Sequence, residues 1–187
     1  MNQQIDAAIK VLNEGGVILY PTDTIWGLGC DATNAQAVEK IFKIKQRSES
    51  KSLIVLAADA DMICRYVKEI PEMAITLLEI NDKPMTIIYP GGMGLAQNAI
   101  AEDGSVGIRV PEHEFCNALL RKFRKPIIST SANISGKPAP VYFKEIPQEI
   151  IDAADFVADA AYESDSTHSA SQIIKIGLSG EVEIIRG

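Results

Sequence analysis

The sequence has little of what redox, metal or membrane chemistry requires. It contains three cysteines and two histidines in 187 residues. The cysteines, at positions 30, 64 and 116, form no CxxC pair, which is typical of reduced thiols rather than of a disulfide framework or a zinc site. No apolar run approaches the roughly 18 residues that a membrane span needs, and the first residues lack the pattern of a signal peptide. We therefore expect a cytoplasmic protein that contacts no membrane and holds no metal through histidines or cysteines.

Several well-known catalytic motifs are also missing. There is no GxxxxGK[ST] phosphate loop, and Gly27 and Gly29 lack the third glycine of the GxGxxG dinucleotide motif. There is no GxSxG nucleophile elbow. These absences argue against Walker-type nucleotide binding and against covalent catalysis by a serine triad.

The charge balance of the chain is acidic. Eighteen basic and 25 acidic residues give a formal net charge of −7, which argues against a chain that coats nucleic acid but permits a local basic pocket. The hydrophobic content of 47% is ordinary for a globular protein. Since no shift in composition marks a linker, we predict a single domain over residues 1–187.

Helical and strand patterns alternate along most of the chain, which predicts an α/β fold. Apolar residues recur at helical spacing over 5–12, and Asn34 and Asp59 stand where helix N-caps are expected. Further helices are predicted over 71–80 and 113–123, and strands over 17–20, 53–57, 85–89, 106–110, 126–130, 155–158, 172–176 and 182–185. The polar stretches PTDT and STSAN each follow a predicted strand, where α/β proteins bind ligands.

Two polar clusters leave alternative interpretations open. The stretch KIKQRSESKS holds Lys43, Lys45, Arg47 and Lys51. These cations either stabilise the end of a helix or form a clamp for a triphosphate. The hydroxyls and amide of STSAN, residues 129–133, either form a turn or bind phosphate oxygens.

The roles of two single residues also leave two alternatives each. Arg109 lies within an apolar predicted strand and needs a charge partner, because an unpaired buried charge is costly. That partner is either one of the 25 acids of the chain or the carboxylate of a substrate. Asp23 either binds Mg²⁺ or orders the turn that contains it.

Taken together, these stretches resemble the YrdC/Sua5-type L-threonylcarbamoyladenylate synthases. The matching segments occur in the order typical of the family and cover nearly the whole chain; they include GGVILYPTDTIWGLGCDA, IFKIKQRSESKSLIVLAAD, KPMTIIYP, VGIRVPEHEFCNALL and STSANISGKPAP. The length is that of the short bacterial form. The resemblance implies a twisted mixed sheet flanked by helices, with a large concave basic cavity.

The resemblance also implies the reaction. Such an enzyme is a nucleotidyltransferase that converts L-threonine, bicarbonate and ATP into threonylcarbamoyl-AMP and pyrophosphate, with Mg²⁺ accompanying ATP. Other proteins then transfer the threonylcarbamoyl group to adenosine 37 of tRNAs that read codons beginning with A. Members of this family are also expected to bind double-stranded RNA.

The matching motifs imply a role for each candidate residue. Lys45 and Arg47 are the expected catalytic residues and contact the ATP phosphates, with Lys51 nearby. The resemblance assigns the carboxylate of threonine to Arg109, whose charge partner would then come from the substrate. Gly27 and Gly29 are expected to allow a tight turn behind YPTDT. The remaining assignments are Thr22, Ser129 and Ser171 at the threonine and carbamate end, and Ser105, Ser131, Asn133 and Arg186 at ATP.

Three segments depart from the family pattern, and they leave room for rival functions. The chain reads Lys51-Ser52-Leu53 in place of KPL, Asn81-Asp82-Lys83 in place of Trp-Pro-Gly, and Ser171-Gln172-Ile173 in place of Ser-Thr-(Ile/Val). The rivals are a non-catalytic RNA-binding module and a paralogue of the same fold that has altered or lost activity.

Overall fold

The computed structural model describes residues 1–46 and 53–187. Within these ranges the α-helices are α1 (Asn2–Asn13), α2 (Ala35–Lys45), α3 (Ala60–Ile63), α4 (Glu72–Ile80), α5 (Glu114–Phe123) and α6 (Gln148–Ala153). The strands are β1 (Ile18–Tyr20), β2 (Gly27–Gly29), β3 (Ile54–Leu56), β4 (Met85–Tyr89), β5 (Val106–Arg109), β6 (Ile127–Ser131), β7 (Phe156–Val157), β8 (Gln172–Ile176) and β9 (Val182–Arg186). No helix in this part of the chain is long and apolar enough to cross a membrane.

The strands form one mixed sheet in the order β7-β1-β2-β6-β3-β5-β4-β8-β9. The pairs β1–β7, β3–β5 and β4–β8 are parallel. The other neighbouring strands run antiparallel. Helices flank this sheet, which confirms the predicted α/β class and the mixed sheet.

The predicted periodicities and caps are confirmed. α1 buries Ile5, Ala8 and Leu12 along one face and packs against α5. The side chain of Asn34 accepts hydrogen bonds from the backbone at the start of α2, at 3.0 and 3.2 Å. Asp59 Oδ1 accepts one from the N–H of Met62 at 2.9 Å and so caps α3. Each predicted strand is present, with its ends within one residue of the predicted ends.

The sequence patterns do not predict β2 and α6. α6 has six residues, too few to show a helical period of apolar residues. β2 has the sequence Gly-Leu-Gly, and glycine is depleted in strands. The structure therefore contains a strand where only a loop is expected.

The two glycines of β2 have a different role from the predicted one. They form no turn, because β2 pairs with β1 on one side and with β6 on the other. A Cβ atom at Gly29 would lie 2.5 Å from the carbonyl oxygen of Ile128 and 2.8 Å from the ring of Tyr20. Glycine is needed here because neighbouring groups approach its backbone closely.

We expect Gly29→Ala to lower the free energy of unfolding by about 1–3 kcal/mol, because the added methyl group overpacks the sheet. Urea denaturation measures the change. Gly107 in β5 is the matched control, since its Cβ would lie at an ordinary 3.4 Å from Thr86. Gly107→Ala should change the stability by less than about 0.5 kcal/mol. Equal losses for the two variants would contradict this account of β2.

Candidate active site

A cavity of about 310 Å³ lies on the sheet and is lined by residues from distant parts of the sequence. Its walls come from the loop between β1 and β2, the start of β3, the ends of β5 and β6, the segment before β8 and the end of β9. The cavity brings together several predicted site residues, namely Thr22, Arg109, Ser129, Ser131, Ser171 and Arg186.

Three other predicted residues that the structure describes, Lys45, Asn133 and Ser105, do not line this cavity. Lys45 and Asn133 are each hydrogen-bonded to Ser131, which does line the cavity. Ser105 immediately precedes β5, whereas Arg109 is its last residue, and the Ser105 hydroxyl donates to Asp103 at 2.6 Å. The predicted contact of Ser105 with ATP stays a prediction. Two further predicted residues, Arg47 and Lys51, lie outside the described residues.

Arg109 and Asp23 form a buried ion pair. Arg109 Nη1 lies 2.7 Å from Asp23 Oδ1, and the two side chains are 5% and 6% exposed. The prediction of a salt bridge within the protein is confirmed. Asp23 supplies one charge partner of Arg109, and the contact of Arg109 with a substrate carboxylate stays a prediction. Of the two roles open to Asp23, the structure shows that of ordering its turn through this pair.

The threonines of the PTDT loop hold this ion pair in place. Thr22 Oγ1 donates to the carbonyl of Ile25 at 2.7 Å and accepts from the N–H of Thr24 at 3.0 Å. Thr24 Oγ1 accepts from Arg109 Nη2 at 3.2 Å. The Thr22 hydroxyl thus folds the loop on itself, and the loop in turn orients the guanidinium group.

A second arginine is fixed at the other wall of the cavity. Arg186 Nε and Nη2 donate to the carbonyl of Ser171 at 2.9 and 2.7 Å. The Ser171 hydroxyl is hydrogen-bonded to that of Thr86 at 2.9 Å, a buried partner on β4 that the sequence patterns do not reveal. Burial lowers the pKa of Arg186, and the positive charge of Arg109 lowers it further. The guanidinium groups of Arg109 and Arg186 thus both bring positive charge to the same cavity.

Lys45 holds the loop that follows β6. Its side chain is buried, and Nζ donates to the carbonyl of Asn133 at 2.6 Å, to Asn133 Oδ1 at 2.9 Å and to the carbonyl of Ser131. Asn133 Nδ2 donates onward to the carbonyl of Lys137 at 2.6 Å. The first three residues of STSAN thus end β6, and only Ala132 and Asn133 begin the loop after it, whose shape Lys45 sets. Binding of phosphate oxygens by this stretch stays a prediction.

Trp26 forms a wall of the cavity through a contact that the sequence does not predict. Its Nε1 donates to Glu163 Oε2 at 2.6 Å, and its ring centroid lies 4.8 Å from that of Phe143. Glu163 also accepts from the backbone N–H of Phe143. The segments after β6 and β7 are thereby attached to the loop between β1 and β2. No sequence signal pairs residues that are 137 positions apart.

The groups below the cavity stay neutral. Burial raises the pKa of the Tyr20 phenol and of the Cys116 thiol well above their usual ranges. Cys116 Sγ donates to the carbonyl of Pro21 at 3.2 Å. Neither side chain therefore adds a charge to the arginines and Asp23 at neutral pH.

The cavity offers cations and neutral oxygens. Among residues 1–46 and 53–187, no carboxylate, cysteine or histidine lines it. In the same ranges, no group of three or more His, Cys, Asp or Glu side chains is placed to hold a metal ion. Such a lining can bind anions and position two reactants, but among the described residues that line the cavity no hydroxyl is paired with a carboxylate or an imidazole as general base. The basic character of the whole cavity stays a prediction.

Comparison with known proteins gives relatives that cover most of the chain. The threonylcarbamoyl-AMP synthase of Vibrio parahaemolyticus is 33% identical over 150 residues, which are 79% of this chain and 81% of that protein. The enzyme of the same name from Pseudoalteromonas translucida is 32% identical over 181 residues, 95% of each chain.

A solved structure and a family model agree with these relatives. The structure of P. abyssi Sua5 complexed with L-threonine matches 94% of this chain with a TM-score of 0.87 and 28% identity. This chain spans 52%, about half, of that protein. The Sua5/YciO/YrdC family model, described as "Telomere recombination", matches residues 10–187. The chain therefore belongs to the Sua5/YciO/YrdC family.

Proposed function

We propose that this chain is a single-domain threonylcarbamoyl-AMP synthase, a nucleotidyltransferase that joins L-threonine, bicarbonate and ATP and releases pyrophosphate. Curated relatives that are 32–33% identical over most of the chain carry this name. One observation carries the proposal: two arginines and several hydroxyl groups from distant segments line one cavity. The rival paralogue and RNA-binding functions have no comparable support.

The chemistry needs positioning rather than an enzyme nucleophile. The amine of threonine attacks the carbon of bicarbonate and gives a carbamate, with loss of water. A carbamate oxygen then attacks the α-phosphorus of ATP, and pyrophosphate leaves with the electrons of the broken P–O bond. A cavity that holds both reactants and neutralises charge can accelerate such a displacement many-fold. Mg²⁺ enters as part of the substrate, bound to the phosphates of ATP.

We assign the threonine and carbamate end to Arg109, Ser129 and Ser171. Arg109 gives one donor to Asp23 and one to Thr24, and a guanidinium group has five. The remaining donors suit the carboxylate of an amino acid. A related protein, P. abyssi Sua5, has been solved with L-threonine bound. Thr22 contributes by shaping the loop, since its hydroxyl is hydrogen-bonded within it.

We assign the nucleotide end to Arg186, Ser131 and the loop after β6. Lys45 and Asn133 act here by fixing that loop, so we class Lys45 as a positioning residue in addition to its predicted phosphate contact. Arg47 and Lys51 remain proposed phosphate contacts on the basis of the family motif. The product is a reactive mixed anhydride, and we propose that cytoplasmic partner proteins use it to modify adenosine 37 of tRNA.

The test of this function is pyrophosphate release from ATP by the purified protein with Mg²⁺, omitting threonine and bicarbonate in turn. We expect release only when both are present. Release with threonine alone in bicarbonate-free buffer would indicate plain amino-acid adenylation. No release from a folded protein that binds ATP would contradict the proposal and favour an inactive paralogue or an RNA-binding protein.

A second prediction concerns Arg109. Arg109→Lys keeps a cation beside Asp23 but loses the bidentate geometry of the guanidinium group. We expect KM for L-threonine to rise at least about tenfold, equivalent to roughly 1.4 kcal/mol, while the Kd of ATP changes less than about twofold. Steady-state kinetics and calorimetry measure the two quantities.

Two features make this variant informative. Alanine at position 109 would leave Asp23 buried and unpaired, at a cost of about 3–5 kcal/mol, so lysine is the safer choice. Arg121→Lys, on α5 and outside the cavity, is the matched control and should behave as the wild type. An unchanged KM for threonine in Arg109→Lys, or an equal loss of ATP binding, would refute the assignment.

A further inference from the structure

A second open cavity, of about 340 Å³, lies apart from the proposed active site. Its lining includes Arg65, Arg121 and Arg124, and the other residues that line it are Ala58, Asp59 and Met62. We call it the arginine groove. It shares no lining residue with the cavity that contains Arg109.

Helices α3 and α5 bring the three arginines to the place where β3 ends and β6 begins. β3 leads into α3 and α5 leads into β6, and the strand ends Leu56 and Ile127 are paired. The backbone N–H of Arg65, just after α3, donates to the carbonyl of Met62 at 3.1 Å. The N–H of Arg124 donates to the carbonyl of Leu120 at 2.9 Å. The groove is therefore built from fixed backbone rather than from a long loop.

The arginines of the groove have no acidic partner in the described part of the chain. Among residues 1–46 and 53–187, no carboxylate lies within 4.0 Å of the guanidinium groups of Arg65, Arg121 or Arg124. Asp59, which also lines the groove, accepts a hydrogen bond from the N–H of Met62 instead. A chain with 25 acids and 18 basic residues thus places three cations around a groove whose lining includes one carboxylate, that of Asp59, and no ion pair to it. All three arginines are exposed, so their guanidinium groups are accessible to an anion, which their combined positive charge attracts.

The end of α5 fixes the backbone of Arg124. This residue ends α5 in the left-handed conformation, with φ of 61°. Glycine is the usual residue at such a helix end, because a side chain there costs conformational free energy. Arg124 occupies this helix end and lines the groove.

We propose that the arginine groove binds a phosphate-type oxyanion, present either as free orthophosphate or pyrophosphate or as a phosphodiester of a nucleic acid. Guanidinium groups pair with phosphate through two parallel hydrogen bonds to two of its oxygens, a geometric match that a spherical anion such as chloride does not offer. One dianion would balance two of the three positive charges. This site goes beyond the proposed synthase function and does not depend on it.

Amide NMR of the full chain tests the proposal. Sodium phosphate is titrated into ¹⁵N-labelled protein, with sodium chloride at matched ionic strength as the reference. We expect saturable shifts of the amides of Arg65, Arg121 and Arg124, a set separate from any shifts around Arg109 and Arg186. Groove amides that do not shift, or that shift equally with chloride, would overturn the proposal.

Variants then test the role of the side chains. Arg121→Ala should raise the Kd of phosphate in the groove at least fivefold. Lys122→Ala is the matched control, because it removes a charge one position along the same helix, where Lys122 pairs with Asp6; it should change the Kd less than twofold. Equal effects of the two variants would show nonspecific charge attraction and contradict the site.

The source of the oxyanion is identified by competition. Pyrophosphate that binds the groove at least tenfold tighter than orthophosphate would identify a free polyphosphate as the ligand. A short RNA duplex that shifts the same amides and is displaced by phosphate would identify a nucleic-acid backbone. Each of these results supports the oxyanion site, and each depends on shifts in the groove rather than on synthase activity.

Discussion

The buried ion pair between Arg109 and Asp23 is the interaction on which the geometry of the active-site cavity depends. Asp23 follows β1 and Arg109 ends β5, and β2, β6 and β3 lie between these strands in the sheet. The pair therefore connects the loop after β1 to the end of β5, across the three strands that separate them. Because both side chains are nearly inaccessible to water, loss of either one leaves an uncompensated charge worth about 3–5 kcal/mol. The loop between β1 and β2 cannot move without breaking it.

The rest of the cavity is arranged around that fixed cation. Thr24 holds a second donor of Arg109, and Arg186 is anchored on the carbonyl of Ser171. Lys45 is buried and shapes the loop after β6. Most of these hydrogen bonds are between groups of the protein itself, so the cavity is preorganised before a substrate binds. Preorganisation of this kind suits a reaction whose catalysis rests on positioning and charge neutralisation.

The sequence predicts the elements well where apolar runs or helical periods are clear, as in β4, β5 and α5. It fails at β2, whose glycines suggest a turn and instead admit the ring of Tyr20 and the backbone of β6. The family motifs identify residues such as Ser129 and Arg186 that meet in the cavity. They do not reveal the partner of Arg109, because Asp23 is 86 positions away and several acids were equally possible. The motif match of Ser105 likewise does not reveal its place, since it precedes β5 whereas Arg109 ends that strand.

The most direct test of the central claim is calorimetric titration of L-threonine into the wild type and into Asp23→Asn, with L-threoninamide as the reference ligand that lacks the carboxylate. If the ion pair orients Arg109 towards a carboxylate, the wild type should bind threonine at least about tenfold more tightly than the amide, a difference of roughly 1.4 kcal/mol. A folded Asp23→Asn variant should lose that preference. A wild type that binds both ligands equally, or a variant that retains the preference, would contradict the account.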